Sequence, residues 1–187
     1  MKSRTRERGV GLIIVIIVTA FLLVIGLLLA TITNLGTTVA SNVRLQEQAF
    51  NAAEAGFNAA WSQIEENLIA GGWTNFDGVC LDTPANVAVP GDPDYFRKTT
   101  DEEFLNALTP TTNGVIFYKE TYATAQGGGL DQRYSYTVFL VEDDGGSTTP
   151  DPTDVLLVCI GAVQTGDTFT TARIEVGLAM QSSGTNP

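Results

Sequence analysis

Between Val10 and Asn34 the chain runs 25 residues without a charged side chain, and any fold it adopts has to give that run an apolar environment. A hydrocarbon core about 30 Å thick is crossed by roughly 20 apolar residues in a helix, so the run is long enough to span a bilayer. Ahead of it stand Lys2, Arg4, Arg6 and Arg8, and this basic segment closes on Gly9. A secretory signal has an apolar core of about 7 to 15 residues and an A-x-A-like exit. Neither is present here. The basic residues predict a cytoplasmic N-terminus, with everything beyond Asn34 on the far side of the membrane. The order of basic residues, Gly9 and uncharged helix reads as a leader-peptide cleavage site on a membrane anchor.

The chain has 187 residues, and about 150 lie beyond the leader and span, enough for one compact ectodomain. Net charge is −11, and from Val10 onward six basic residues face twenty acidic ones, a net −14. So acidic a surface predicts no nucleic-acid partner. The two cysteines, Cys80 and Cys159, both fall beyond the membrane on this topology. In an oxidising compartment they predict a single disulfide. Closing so long a loop stabilises a chain by about 4 to 5 kcal/mol in the chain-entropy view.

No proline precedes Pro84, so nothing breaks a helix between Val10 and Ala70. One long helix is expected, with two halves. Beyond the span, Phe50, Ala53, Phe57, Trp61, Ile64 and Leu68 recur at three- and four-residue steps, a face expected to pack on the globular part. Glu47, Asn51, Glu54, Asn58, Ser62 and Glu65 form a polar stripe beside it. Ala52, Ala55, Gly56 and Ala59 lie nearly opposite the aromatic stripe, and small side chains there let another helix approach. Gly26 and Ala30 repeat that small-residue spacing inside the span. Gly71-Gly72 provides the helix stop.

Residues 71–114 read as loop with one short helix, where Thr100 and Glu103 make a capping box and Phe104, Leu105 and Leu108 form the buried side. The last third is rich in β-branched and aromatic residues over 115–124, 133–142, 154–164 and 168–180, which predicts four strands. The short Thr165-Gly166-Asp167 connection makes the last two an antiparallel hairpin. The fold class is α+β, a long N-terminal helix packed on a four-stranded antiparallel sheet. Its parts are a leader (1–9), the membrane half of the helix (10–40), its amphipathic half (41–70), the loop region (71–114), the sheet (115–182) and a tail (183–187).

The chain has no histidine. That removes Ser-His and Cys-His nucleophile pairs and histidine metal ligands together. No catalytic site, cofactor or metal site is expected. Glu142, Asp143, Asp144, Asp151 and Asp154 are oxygen donors of the kind calcium takes, but without EF-hand spacing they read as a solvated acidic loop. Asp92, Asp94 and Asp101 to Glu103 read the same way.

The stretch Arg8-Gly9-Val10-Gly11-Leu12-Ile13, then Asn42-Val43-Arg44, then Ala49-Phe50-Asn51-Ala52-Ala53-Glu54-Ala55-Gly56, resembles the start of the PilX-type minor pilins among type IV pilin-like proteins. Their pattern there is approximately RGxALI, N-x-R and AFxAAEA. The resemblance covers about the first 60 residues. It implies cleavage by a prepilin peptidase between Gly9 and Val10, methylation of the new Val10 amine, and stacking of the helix in a filament core. Most major pilins carry Glu as the fifth mature residue, and here that position is Ile14. A subunit without this carboxylate resembles those placed at the filament tip that prime assembly. K-type pseudopilins share the trait but usually carry a large inserted helical domain, for which this chain has little room.

The resemblance further implies partners among other minor and major pilins, the prepilin peptidase, an inner-membrane assembly platform and membrane lipid. Location would be the inner membrane before assembly and an extracellular filament, at or near its tip, afterwards. The leading expectation is a structural minor pilin of a priming or tip complex. The alternative is a tip adhesin that binds a surface through the loops of residues 73–114 and 142–152. An unprocessed single-pass membrane protein with a periplasmic domain is the third.

Overall fold

The computed structural model describes residues 4–125, 127–142, 144–145, 151–166 and 168–180, with side chains from Gly11 onward. Residues 1–3 of the expected leader, Gln126, Asp143, residues 146–150, Asp167 and residues 181–187, which include the expected tail, lie outside the described residues. One helix, α1, runs from Arg4 to Ile69. A short helix follows, α2 (Asp101–Ala107), then four strands, β1 (Val115–Thr121), β2 (Tyr134–Val141), β3 (Asp154–Thr165) and β4 (Thr168–Ala179). The chain forms two compact units, Met1–Arg44 and Leu45–Pro187.

In the first unit the apolar side chains are bare: Leu12, Phe21, Leu23, Leu27 and Ile32 are each more than 60% exposed. By length and composition this helix can cross a membrane. Its hydroxyls bond to its own backbone. Thr19 donates to Val15 O and Ile16 O, Thr31 to Leu27 O and Thr33 to Leu29 O, all within 3.0 Å. A hydroxyl satisfied this way adds little to the cost of immersion in lipid.

In the second unit α1 stops in a Schellman turn. Gly71 takes φ 71°, its N–H donates to Leu68 O, and Gly72 N–H donates to Asn67 O. Glycine adopts this left-handed geometry without a Cβ penalty, so the paired glycines end the helix. The capping box at α2 is complete: Glu103 N–H donates to Thr100 Oγ1, and Thr100 N–H donates to Glu103 Oε2. Phe104, Leu105 and Leu108 are buried beneath it.

The sheet is an antiparallel meander in the order β1-β2-β3-β4. Thr165 pairs with Thr168, so β3 and β4 form an antiparallel hairpin. β1 ends at Thr121, three residues short of the expected strand, and a lone bridge between Thr124 and Leu130 closes the glycine-rich connection instead.

Both faces of the sheet are covered. On one, Tyr136, Val138, Leu140, Val155, Leu157 and Cys159 pack with Ala60 and Ile64 of α1. On the other, Phe139, Val141, Val158 and Ile160 pack with Leu81, Val87, Phe96, Phe104 and Leu105 of α2, and its C-cap Leu108. Sequence reading provides only the first layer. The segment read as loop is the second lid, and it accounts for the nearly unbroken burial along β2 and β3. Arg173 of β4 ties that lid down by pairing with Asp101 and donating to Phe96 O at 3.2 Å.

Candidate assembly surface

The helix face against the sheet is not the aromatic one. Ala49, Ala52, Ala53 and Ala60 have no exposed surface, while Phe50 is 50% and Trp61 48% exposed. Phe57, Ile64 and Leu68 do pack against the core cluster. At about 100° per residue the buried arc is centred roughly a quarter turn from the expected stripe, and it lies opposite the polar stripe. The reason is on the sheet. At Gly161 of β3 a Cβ would stand 2.0 Å from Ala49 O and 2.3 Å from Ala53 N. Helix backbone and strand touch there, which only small residues allow. Gly56 packs on the Tyr136 ring less tightly, where a Cβ would meet Cδ2 at 2.9 Å.

Two expectations are corrected by this packing. Phe50 and Trp61 stay about half exposed instead of being buried on the sheet, and Ala52 and Gly56 are not open to another helix because the sheet covers them. Ala55 and Ala59 are only partly buried against the core. The outward surface of α1 in this unit therefore carries Phe50 and Trp61, the latter in a tilted ring contact with Phe57 at 6.2 Å. In the first unit Gly26 and Ala30 are exposed, and space around Gly26 is open to 4 Å. Ile14 is exposed too, at 55%. The backbone of Gly9 and Val10 is helical and continuous with α1.

No disulfide joins Cys80 and Cys159. Cys159 is fully enclosed in β3, and Cys80 packs against the same apolar cluster with its Sγ 3.8 Å from Phe76 O. Compartment argues only that a bridge is permitted; bridging also requires the two Cβ atoms to meet at disulfide distance and angle. Burial pushes the Cys159 thiol up to about 12, so it stays protonated.

The acidic residues have structural partners. Asp92 Oδ1 accepts from Asp94 N–H, Glu103 caps α2, and Asp101 pairs with Arg173. Asp144 accepts from Asp151 N–H at 2.6 Å, and Asp151 accepts from Thr153 N–H and Oγ1, which holds the Asp151 carboxyl below its ordinary range. Among the described residues no three acidic groups converge as metal ligands.

Residues 8–58 match the model of the family described as PilX N-terminal. No curated protein and no solved structure matches the chain.

Proposed function

We propose that this chain is a PilX-type, type IV pilin-like protein and works as a minor pilin, a structural subunit that joins other pilins in priming a filament or forming its tip. The observation that carries the reading is the family match, which begins at the basic residue before Gly9 and continues through the bare apolar helix. On this reading a prepilin peptidase removes residues 1–9, the Val10 amine is methylated, and the span waits in the inner membrane with its N-terminus cytoplasmic until the assembly platform moves it into the filament.

Ile14 supports the priming or tip role. A charged carboxylate inside a membrane helix adds to the cost of insertion, and Ile14 avoids that cost. It also offers nothing for a neighbour's terminal amine to pair with, which suits a subunit outside the repeating stack. Phe50 and Trp61 give neighbouring pilins an apolar contact beyond the membrane.

The test is intact-mass and N-terminal peptide analysis of protein from membranes and from sheared filaments, beside a Gly9→Ala substitution. A mature start at Val10, lost in the substituted protein, is the expected result. A start at Met1 in every fraction would leave an ordinary membrane anchor. Deletion separates the two pilin roles, since lost filaments indicate assembly and normal filaments with lost attachment indicate adhesion.

A further inference from the structure

β1 pairs with β2 through an irregular register. Phe117 stands opposite Val138 and Glu120 opposite Tyr136, so two residues, Tyr118 and Lys119, face the single residue Thr137. Strict alternation would put Lys119 on the side of Phe117, the face covered by α1. The extra residue of a bulge re-aims it. Lys119 takes φ 48°, a conformation unfavourable for a side chain other than glycine, and its N–H donates at 3.0 Å to the hydroxyl of Thr137. Thr137 is itself 1% exposed. A buried hydroxyl thus fixes a strained backbone whose effect is to move one lysine across the sheet.

Lys119 arrives in a cavity of about 270 Å³ on the face away from α1. Arg133, Gln132, Ser135 and Gln164 also line it, and Phe169 contributes an apolar wall. Among the described residues no carboxylate lines it, in a chain of net charge −11, and Asp131, outside that lining, pairs with Arg133 at 2.6 Å. The cavity between Phe76 and Asp154 makes the contrast, with five carboxylate residues on its wall. The cations differ in their commitments. Arg97, Arg133 and Arg173 are in ion pairs with carboxylates, whereas Lys119 is in none of the ion pairs among the described residues and donates to the neutral Asn106 Oδ1 at 3.3 Å.

We propose that this cavity binds an acidic monosaccharide, with the ligand carboxylate on Lys119 Nζ and on Nη1 of Arg133, whose Nε and Nη2 are held by Asp131, the hydroxyls on Gln132, Ser135 and Gln164, and the C–H face of the ring on Phe169. Its volume is near the lower end of small-molecule sites, roughly 300 Å³, and suits one ring. Amide and hydroxyl groups that both donate and accept match sugar hydroxyls, and a cation pair matches a carboxylate. Nothing in the proposal depends on the chain's role in a filament. Binding is read on the purified subunit, so its failure leaves the assembly role standing, and an unprocessed Gly9 leaves the cavity standing.

The experiment titrates the full-length protein in detergent micelles with sodium glucuronate, and in parallel with glucose and with sodium sulfate, by ligand-observed saturation-transfer NMR. Glucuronate is expected to saturate in the millimolar range, with glucose and sulfate each at least roughly tenfold weaker. Lys119→Gly removes the ammonium while suiting the positive φ, so it is expected to melt no lower than the parent and to lose at least about tenfold in affinity. Arg133→Gln makes the same comparison without touching the bulge. The proposal is overturned by no saturation up to roughly 50 mM glucuronate, by unchanged affinity in both variants, or by glucose or sulfate matching glucuronate.

Discussion

At Gly161 a single hydrogen atom decides how close helix and sheet can come. The nearest atoms to a Cβ there are backbone atoms of Ala49 and Ala53, so no rotamer change relieves the clash. Gly161→Ala is expected to destabilise the Leu45–Pro187 unit by about 3 kcal/mol, the upper part of the overpacking range, measured as a shift in denaturant midpoint. Ala52→Ser should cost less, since Ala52 Cβ is the more distant neighbour. Cys159 makes a prediction about pH. Burial raises its folded pKa to about 12, above the roughly 8.5 of an unfolded cysteine. The folded chain therefore holds that proton more tightly. The associated stability is complete below about pH 8.5 and is lost as pH rises from there towards 12. Chemical melts at pH 8 and pH 10.5 should fall more steeply for the parent than for Cys159→Ala, and the native protein at pH 8 should resist alkylation at this thiol.

Among the elements, α1 carries two codes at once. Its polar stripe faces solvent and its small residues face the sheet, which leaves Phe50 and Trp61 at the flank. Replacing both aromatics by alanine is expected to leave the melting temperature nearly unchanged and to lower incorporation into sheared filaments, read by immunoblot. A large loss of stability would instead place them in the fold. The second lid depends on a partly buried ion pair. Arg173 and Asp101 side chains are each 17% exposed, and Arg173 also holds Phe96 O. Arg173→Met is expected to cost about 2 to 3 kcal/mol, because charge-assisted bonds are lost while Asp101 stays covered. Hydrogen exchange should rise first around Asp101–Ala107 rather than in α1. The capping box of that helix was visible in the spacing of Thr100 and Glu103. Its partner Arg173 was not, because nothing in a sequence brings residues 72 positions apart together.

For the molecule as a whole, the division at Arg44 and Leu45 makes a further prediction. The core clusters draw their α1 residues from Leu45 onward, so a chain beginning there is expected to fold cooperatively in water. Circular dichroism and a single melting transition check this, and a molten, non-cooperative melt would count against it. Membrane retention should follow the first unit alone, tested by fractionating cells that express it fused to a soluble reporter.

The long apolar helix, its stop at Gly71-Gly72, the capping box, four strands and the PilX-type start were all legible in the sequence, because each rests on neighbours a few residues apart. Periodicity also announced that α1 has an apolar side. It did not say which side, since aromatic residues carry the larger hydrophobic signal while the sheet selects for closeness, and that choice is made by Gly161 on another strand. The bulge at Lys119 was equally hidden. It depends on an opposing register and on the Thr137 hydroxyl across the ladder, and a one-residue slip that moves a lysine to the other face leaves no mark in the order of residues. Local spacing fixed what each segment is. Only tertiary contact decided which face each segment shows.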